Sequence, residues 1–123
     1  MIKIVEFRVD GPLLGYRASA ARVFERAPGS RVPKYRAFKD KVYLLALEAG
    51  FPGGHEVDPD RPPTLSVDIF WAKKPRIDWK NIVGALEDSL WRQDRYVQPG
   101  LFHVSYGCGT ECAKVKIVFR DTK

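Results

Sequence analysis

A chain of 123 residues accommodates one domain of ordinary size and leaves no room for a second. Its 45% hydrophobic and 12% aromatic content supplies a packed core and excludes disorder as the resting state. The formal net charge is +6, and it is not evenly spread: between Arg17 and Lys41 eight basic residues face two acidic ones, while the rest of the chain is balanced. A basic excess confined to one stretch points to a polyanionic partner, because local positive potential speeds encounter and phosphate contacts release counterions.

No run approaches the roughly 20 apolar residues of a membrane span, and the Met1–Phe7 segment lacks the basic-then-apolar order of a signal peptide, so a cytoplasmic protein is expected. Two cysteines cannot form a disulfide framework.

Residues Ile2 to Val9 are β-branched and aromatic and read as a strand, broken by Gly11-Pro12. From Leu13 to Val32 no period is sustained, which predicts a long, basic, mobile loop carrying Arg17, Arg22, Arg26 and Arg31. Pro33 suits a first helical turn, and Tyr35, Phe38, Val42, Leu45, Ala46 and Ala49 form one apolar stripe that stops before Gly50. A turn-rich connection follows.

Thr64 to Trp71 then alternates, with Leu65, Val67, Ile69 and Trp71 on one face and Asp68 on the other. After the basic turn Lys73-Lys74-Pro75-Arg76, Asp78 is a cap for a second helix built on Ile82, Val83, Leu86 and Leu90. Two last strands, about Leu101 to Tyr106 and Ala113 to Phe119, are expected to form a hairpin through Gly107–Cys112. The prediction for residues 1–123 is a single α+β domain in the order β-loop-α-β-α-β-β, a mixed sheet of about four strands with both helices on one face.

Cys108-x-x-x-Cys112 with His103 offers too few soft ligands for zinc, and no Gly-rich phosphate loop or nucleophile motif is present, so no nucleotide cofactor is expected. What remains is carboxylate chemistry. Asp68, Asp78, Asp88 and Asp94 surround one strand-turn-helix unit amid Lys73, Lys74, Arg76, Lys80, Arg92 and Arg95. Acids that hold a hard cation, flanked by bases that hold phosphates, are what a phosphodiester-cleaving site requires. Taken singly, Asp78 reads as a helix cap, Asp88 as a solvated helix position and Asp94 as a surface turn.

The stretch from Lys74 through Ile77-Asp78-Trp79-Lys80-Asn81, Leu86-Glu87-Asp88-Ser89-Leu90 and Trp91-Arg92-Gln93-Asp94 to Val97 resembles the signature of the RusA-like Holliday-junction resolvases: a basic turn, D-x-D-N, a helix ending in D-A-L, then W-x-D-D-x-x-V. Ala37–Val42 resembles that family's first helix. In the ungapped register Asp78 matches the first acid, Asn81 the asparagine, Asp88 the aspartate of D-A-L and Asp94 the last metal-binding acid. Lys80 stands where a second catalytic aspartate is expected, and Gly84 where the family has its lysine. A second register makes Asp78 the second acid, with Arg76 in place of the first.

The resemblance implies a homodimeric endodeoxyribonuclease of DNA recombination and repair, dependent on Mg²⁺ or Mn²⁺ and acting on branched DNA. Asp78 and Asp94 would be catalytic metal ligands, with Asp68 a third ligand inferred from its strand and Lys80 a catalytic charge stabiliser. Arg17, Arg22, Arg26, Arg31, Lys34, Lys73, Lys74 and Arg76 would contact DNA. Two rival expectations stand beside it: a junction- or duplex-binding protein with impaired catalysis, to which the departures at Lys80 and Gly84 point, and a basic module that meets an acidic protein.

Overall fold

A computed structural model of the chain describes residues 2–15, 32–53, 57–74, 77–92 and 96–120. Its elements run β1 (Ile2–Asp10), α1 (Val32–Glu48), β2 (Thr64–Trp71), α2 (Trp79–Leu90), β3 (Gln98–Tyr106) and β4 (Cys112–Arg120). This is the expected α+β architecture, a four-stranded mixed sheet with both helices packed into one core on one face. The expected loop over 13–32 falls mostly outside the described residues. Among the described residues, no helix is long and apolar enough to cross a membrane.

The strands lie in the order β1-β4-β2-β3. β4 is antiparallel to both β1 and β2, whereas β3 is parallel to β2. The unit β2-α2-β3 is therefore a helical crossover between parallel neighbours, the connection that parallel pairing demands.

The expected β3-β4 hairpin is corrected by this order, because β2 lies between the two strands. The loop after Tyr106 crosses the end of β2, where Cys108 N donates to Trp71 O at 3.1 Å. A hairpin reading assumes that neighbours in sequence pair; here β4, with Ala113, Val115 and Ile117 buried, takes the central position instead.

α1 packs through the predicted stripe: Tyr35, Phe38, Val42 and Ala46 are buried, with Leu45 and Ala49 partly so. It ends where expected. Gly50 adopts φ +103°, a left-handed value that favours glycine, and Phe51 N returns to Ala46 O at 2.9 Å. Phe51 then meets Tyr43, Trp91 and Phe119 at ring-centroid distances of 6.2, 5.8 and 6.1 Å, joining the ends of both helices to β4.

Among the described residues, the other face of the sheet carries no helix. Two polar rows cross it, Arg8–Lys114–Asp68–His103 and Glu6–Lys116–Ser66, in which Lys114 faces Asp68 and Lys116 faces Glu6 across adjacent strands, while Arg8 faces Lys114.

Candidate functional site

The C-terminal ends of β1, β2 and β3 and the start of β4 lie at one end of the sheet. The chain segments that leave them are tied together there. Gly11 N donates to Glu111 O at 2.8 Å, and Leu13 N donates to the Glu111 carboxylate at 2.6 Å.

Gly15 sits against the start of α2. A Cβ at this position would lie 2.7 Å from Ile77 Cγ2 and 3.1 Å from Asn81 Cβ, so only glycine lets the backbone approach so closely. Gly15, the last described residue before the basic stretch of the sequence, therefore stands beside the first turn of α2.

Asp78 caps that turn. Its carboxylate accepts from Lys80 N at 3.1 Å and its carbonyl accepts from Asn81 N at 3.0 Å, and the residue is exposed. Lys80, two residues on, is exposed as well, and Lys73 and Lys74, just after β2, are exposed. The Lys80 ammonium stands over the Trp79 ring at 5.8 Å, and Trp79 stacks on Phe102 with centroids 5.6 Å apart. The start of α2 therefore presents the Asp78 carboxylate beside Lys80 at a helix N-terminus, a place where backbone N–H groups also favour anions.

The other candidates are placed differently. Asp68 projects from the helix-free face of the sheet, with its side chain 48% exposed and 3.2 Å from His103 Nδ1. The sheet lies between it and Asp78, so the structure brings Asp68 to His103 and not to Asp78. The reason is the two-residue period of a strand: the face opposite Val67 and Ile69 is also opposite α2. Lys34 is exposed near the start of α1. Asp94, Arg76, Arg17, Arg22, Arg26 and Arg31 lie outside the described residues.

Asp88 is not the solvated position that the sequence suggests. It accepts from Tyr35 Oη at 3.0 Å and pairs with Lys39 Nζ at 3.2 Å, joining α2 to α1 beside a cleft of about 510 Å³ lined by Lys39, Tyr43, Asp88 and Arg92 among others. The side chains of both Lys39 and Asp88 are about two-thirds buried. Tyr35→Phe is expected to lower stability by about 1 kcal/mol in urea unfolding, the usual value of one such hydrogen bond to a charged group after partial screening. An unchanged midpoint would show that Lys39 alone holds Asp88.

A Mg²⁺ ion draws its oxygens from one or two carboxylates, waters and substrate phosphates. Among the described residues no three His, Cys, Asp or Glu side chains gather to hold a metal. Asp78 offers one carboxylate at the start of α2, and the Glu111 carboxylate is turned to Leu13 N. The described residues do not make up a Mg²⁺ site, and Asp94, the second acid that the resemblance assigns, is not among them.

Nothing in the sequence marks Glu111 and Gly15 as site residues. Their roles come from contacts with residues far along the chain, Leu13 with Glu111 and Gly15 with Ile77 and Asn81, and no local pattern encodes such pairs. Compared with known proteins, the chain matches no family model and no curated protein.

Proposed function

We propose that the chain is a structure-selective DNA endonuclease resembling the RusA-like resolvases, acting as a homodimer on four-way junctions with Mg²⁺ or Mn²⁺. The observation that carries this reading is the position of Asp78: exposed at the start of α2, beside Lys80 and a few residues after the basic Lys73-Lys74, with Gly15 packed against Asn81 one turn away. Lys73 and Lys74 hold backbone phosphates, Lys80 offsets charge that develops on the phosphorus oxygens, and the basic segment after Gly15 follows a DNA arm. Incision of an end-labelled synthetic four-way junction with either metal tests it, and an intact junction across both metals would overturn it.

A second reading, binding without cleavage, is favoured by a specific observation. The Asp78 carboxylate serves its own helix as a cap, Lys80 occupies the second acid's place, and Asp68 stands on the opposite face of the sheet. Under that reading the junction is bound tightly and left whole.

Both readings assign DNA affinity to the basic segment. Replacing Arg22, Arg26 and Arg31 with glutamine is expected to flatten the dependence of log K on log salt by about 0.9 for each phosphate that the segment no longer neutralises. It should also lower affinity at least about tenfold at moderate salt. Filter binding across a salt series checks this, and an unaltered slope would remove the segment from the interface.

A further inference from the structure

Glu111, the residue before β4, holds the chain that leaves β1 at two points. Its carbonyl accepts from Gly11 N at 2.8 Å, and its carboxylate accepts from Leu13 N at 2.6 Å. The second bond is of the stronger kind, an amide on an anionic oxygen. Leu13 has no exposed surface, so water does not reach its N–H, and withdrawing the carboxylate would leave a buried donor without an acceptor. The Leu13 side chain is part of the core, and Leu14 packs against that core.

Two residues further on, the same stretch meets α2. Two residues span at most about 7 Å, so fixing Leu13 confines Gly15 as well. The atoms that a Cβ on Gly15 would strike are a methyl of the β-branched Ile77 and the first side-chain carbon of the helical Asn81, and neither swings aside freely. Those two residues bracket Asp78. Ile77 precedes it directly, and Asn81 N donates to its carbonyl at 3.0 Å. The cap itself, from Lys80 N to the Asp78 carboxylate, is exposed to competing water, so the turn depends on packing at its flank to keep one geometry.

We infer that Glu111 and Gly15 are positioning residues for Asp78: the carboxylate holds Leu13, Leu13 holds Gly15, and Gly15 sets the direction in which the first turn of α2 presents the Asp78 carboxylate. The inference rests on the reading of Asp78 as the reactive acid and deepens that site. It requires an acceptor at the reach of Glu111 and does not require its charge.

Hydrogen exchange of backbone amides, followed by NMR on the full chain without DNA, tests this relay apart from any chemistry. Glu111→Ala and Glu111→Gln both remove the charge, and only glutamine keeps an acceptor at the right reach. In Glu111→Ala the amides of Leu13, Lys80 and Asn81 are expected to exchange at least about fivefold faster than in the parent, the mark of local opening. Those of Val115 and Ile117 in β4 should hold their rates and show that the fold is intact. Glu111→Gln should return all three amides to the parent rates, and Gly15→Ala, with Glu111 in place, should speed Lys80 and Asn81. Unaltered exchange at Lys80 and Asn81 in both alanine variants overturns the relay, and a glutamine variant that behaves like Glu111→Ala overturns the part given to the acceptor.

Incision of a four-way junction reads the consequence. Glu111→Ala should cut about ten- to a hundredfold more slowly with junction affinity not weakened, the scale of loss when a reacting group is displaced by about 1 Å, and Glu111→Gln should cut like the parent. Equal incision by Glu111→Ala and the parent overturns the positioning role. A parent that leaves the junction whole overturns the endonuclease reading, and the exchange rates then decide the relay by themselves.

Discussion

Asp78→Asn is expected to reduce junction incision by about 10²- to 10³-fold while leaving junction affinity unchanged or slightly higher. The substitution separates two roles held by one side chain. As a helix cap, Asp78 accepts from Lys80 N, and asparagine caps about as well as aspartate, so α2 should begin at the same residue with little change in stability. As an anionic oxygen donor at the proposed reactive centre it has no equivalent in asparagine. The loss expected is the scale seen when one charge-stabilising group is removed from an active site. Affinity should hold because a carboxylate beside Lys80 opposes phosphate binding, and its neutralisation removes that opposition. Measuring single-turnover incision and equilibrium binding on the same labelled junction checks both halves. Equal incision by parent and variant would show that the chemistry lies elsewhere, and tight binding by a parent that does not cut would establish the second reading.

Gly100→Ala is expected to cost about 2 kcal/mol, within the range for forcing atoms into a close-packed site. Gly100 lies where β3 irregularly meets β2. A Cβ there would run into Ser66 Oγ and would lie 3.0 Å from the Leu65 carbonyl and 3.1 Å from Thr64 Cγ2. The obstacle is mostly backbone and a short side chain already engaged, since Ser66 Oγ accepts from Leu101 N at 3.1 Å. Urea unfolding should show the loss as a lower midpoint with an unchanged slope. Ser66→Ala removes the nearest atom, so the double variant should lose less than the sum of the two single changes, a coupling expected of residues in contact. Strict additivity would mean that the Leu65 carbonyl, not Ser66, limits the space.

The fold class is legible because the periods are. The alternation from Thr64 to Trp71 reappears as β2 with the same bounds, and the 3.6-residue stripe from Tyr35 to Ala49 reappears as the buried side of α1. Gly50 and Asp78 mark helix ends through local chemistry, a left-handed residue and a side-chain acceptor, and both are found in those roles. The β3-β4 relationship is illegible for the opposite reason. A five-residue loop with glycines looks the same whether its strands are neighbours or are separated by β2, and the strand pairing, with the Cys108-Trp71 hydrogen bond across the end of β2, distinguishes them.

The site divides along the same line. The chain alone sets which residue types are available: one acid after a basic turn, a helix beginning at that acid, and a positive segment upstream, all fixed by neighbours within a few positions. The tertiary structure alone decides which of them meet. It sets Gly15 against Asn81, Asp88 against Tyr35 and Lys39, and Asp68 against His103 on the far side of the sheet from Asp78. Those partners are separated by 35 residues or more in the chain, and their approach depends on which strands pair and which face each helix covers. Local periodicity determines the faces of each element, and packing between elements determines what each face will touch.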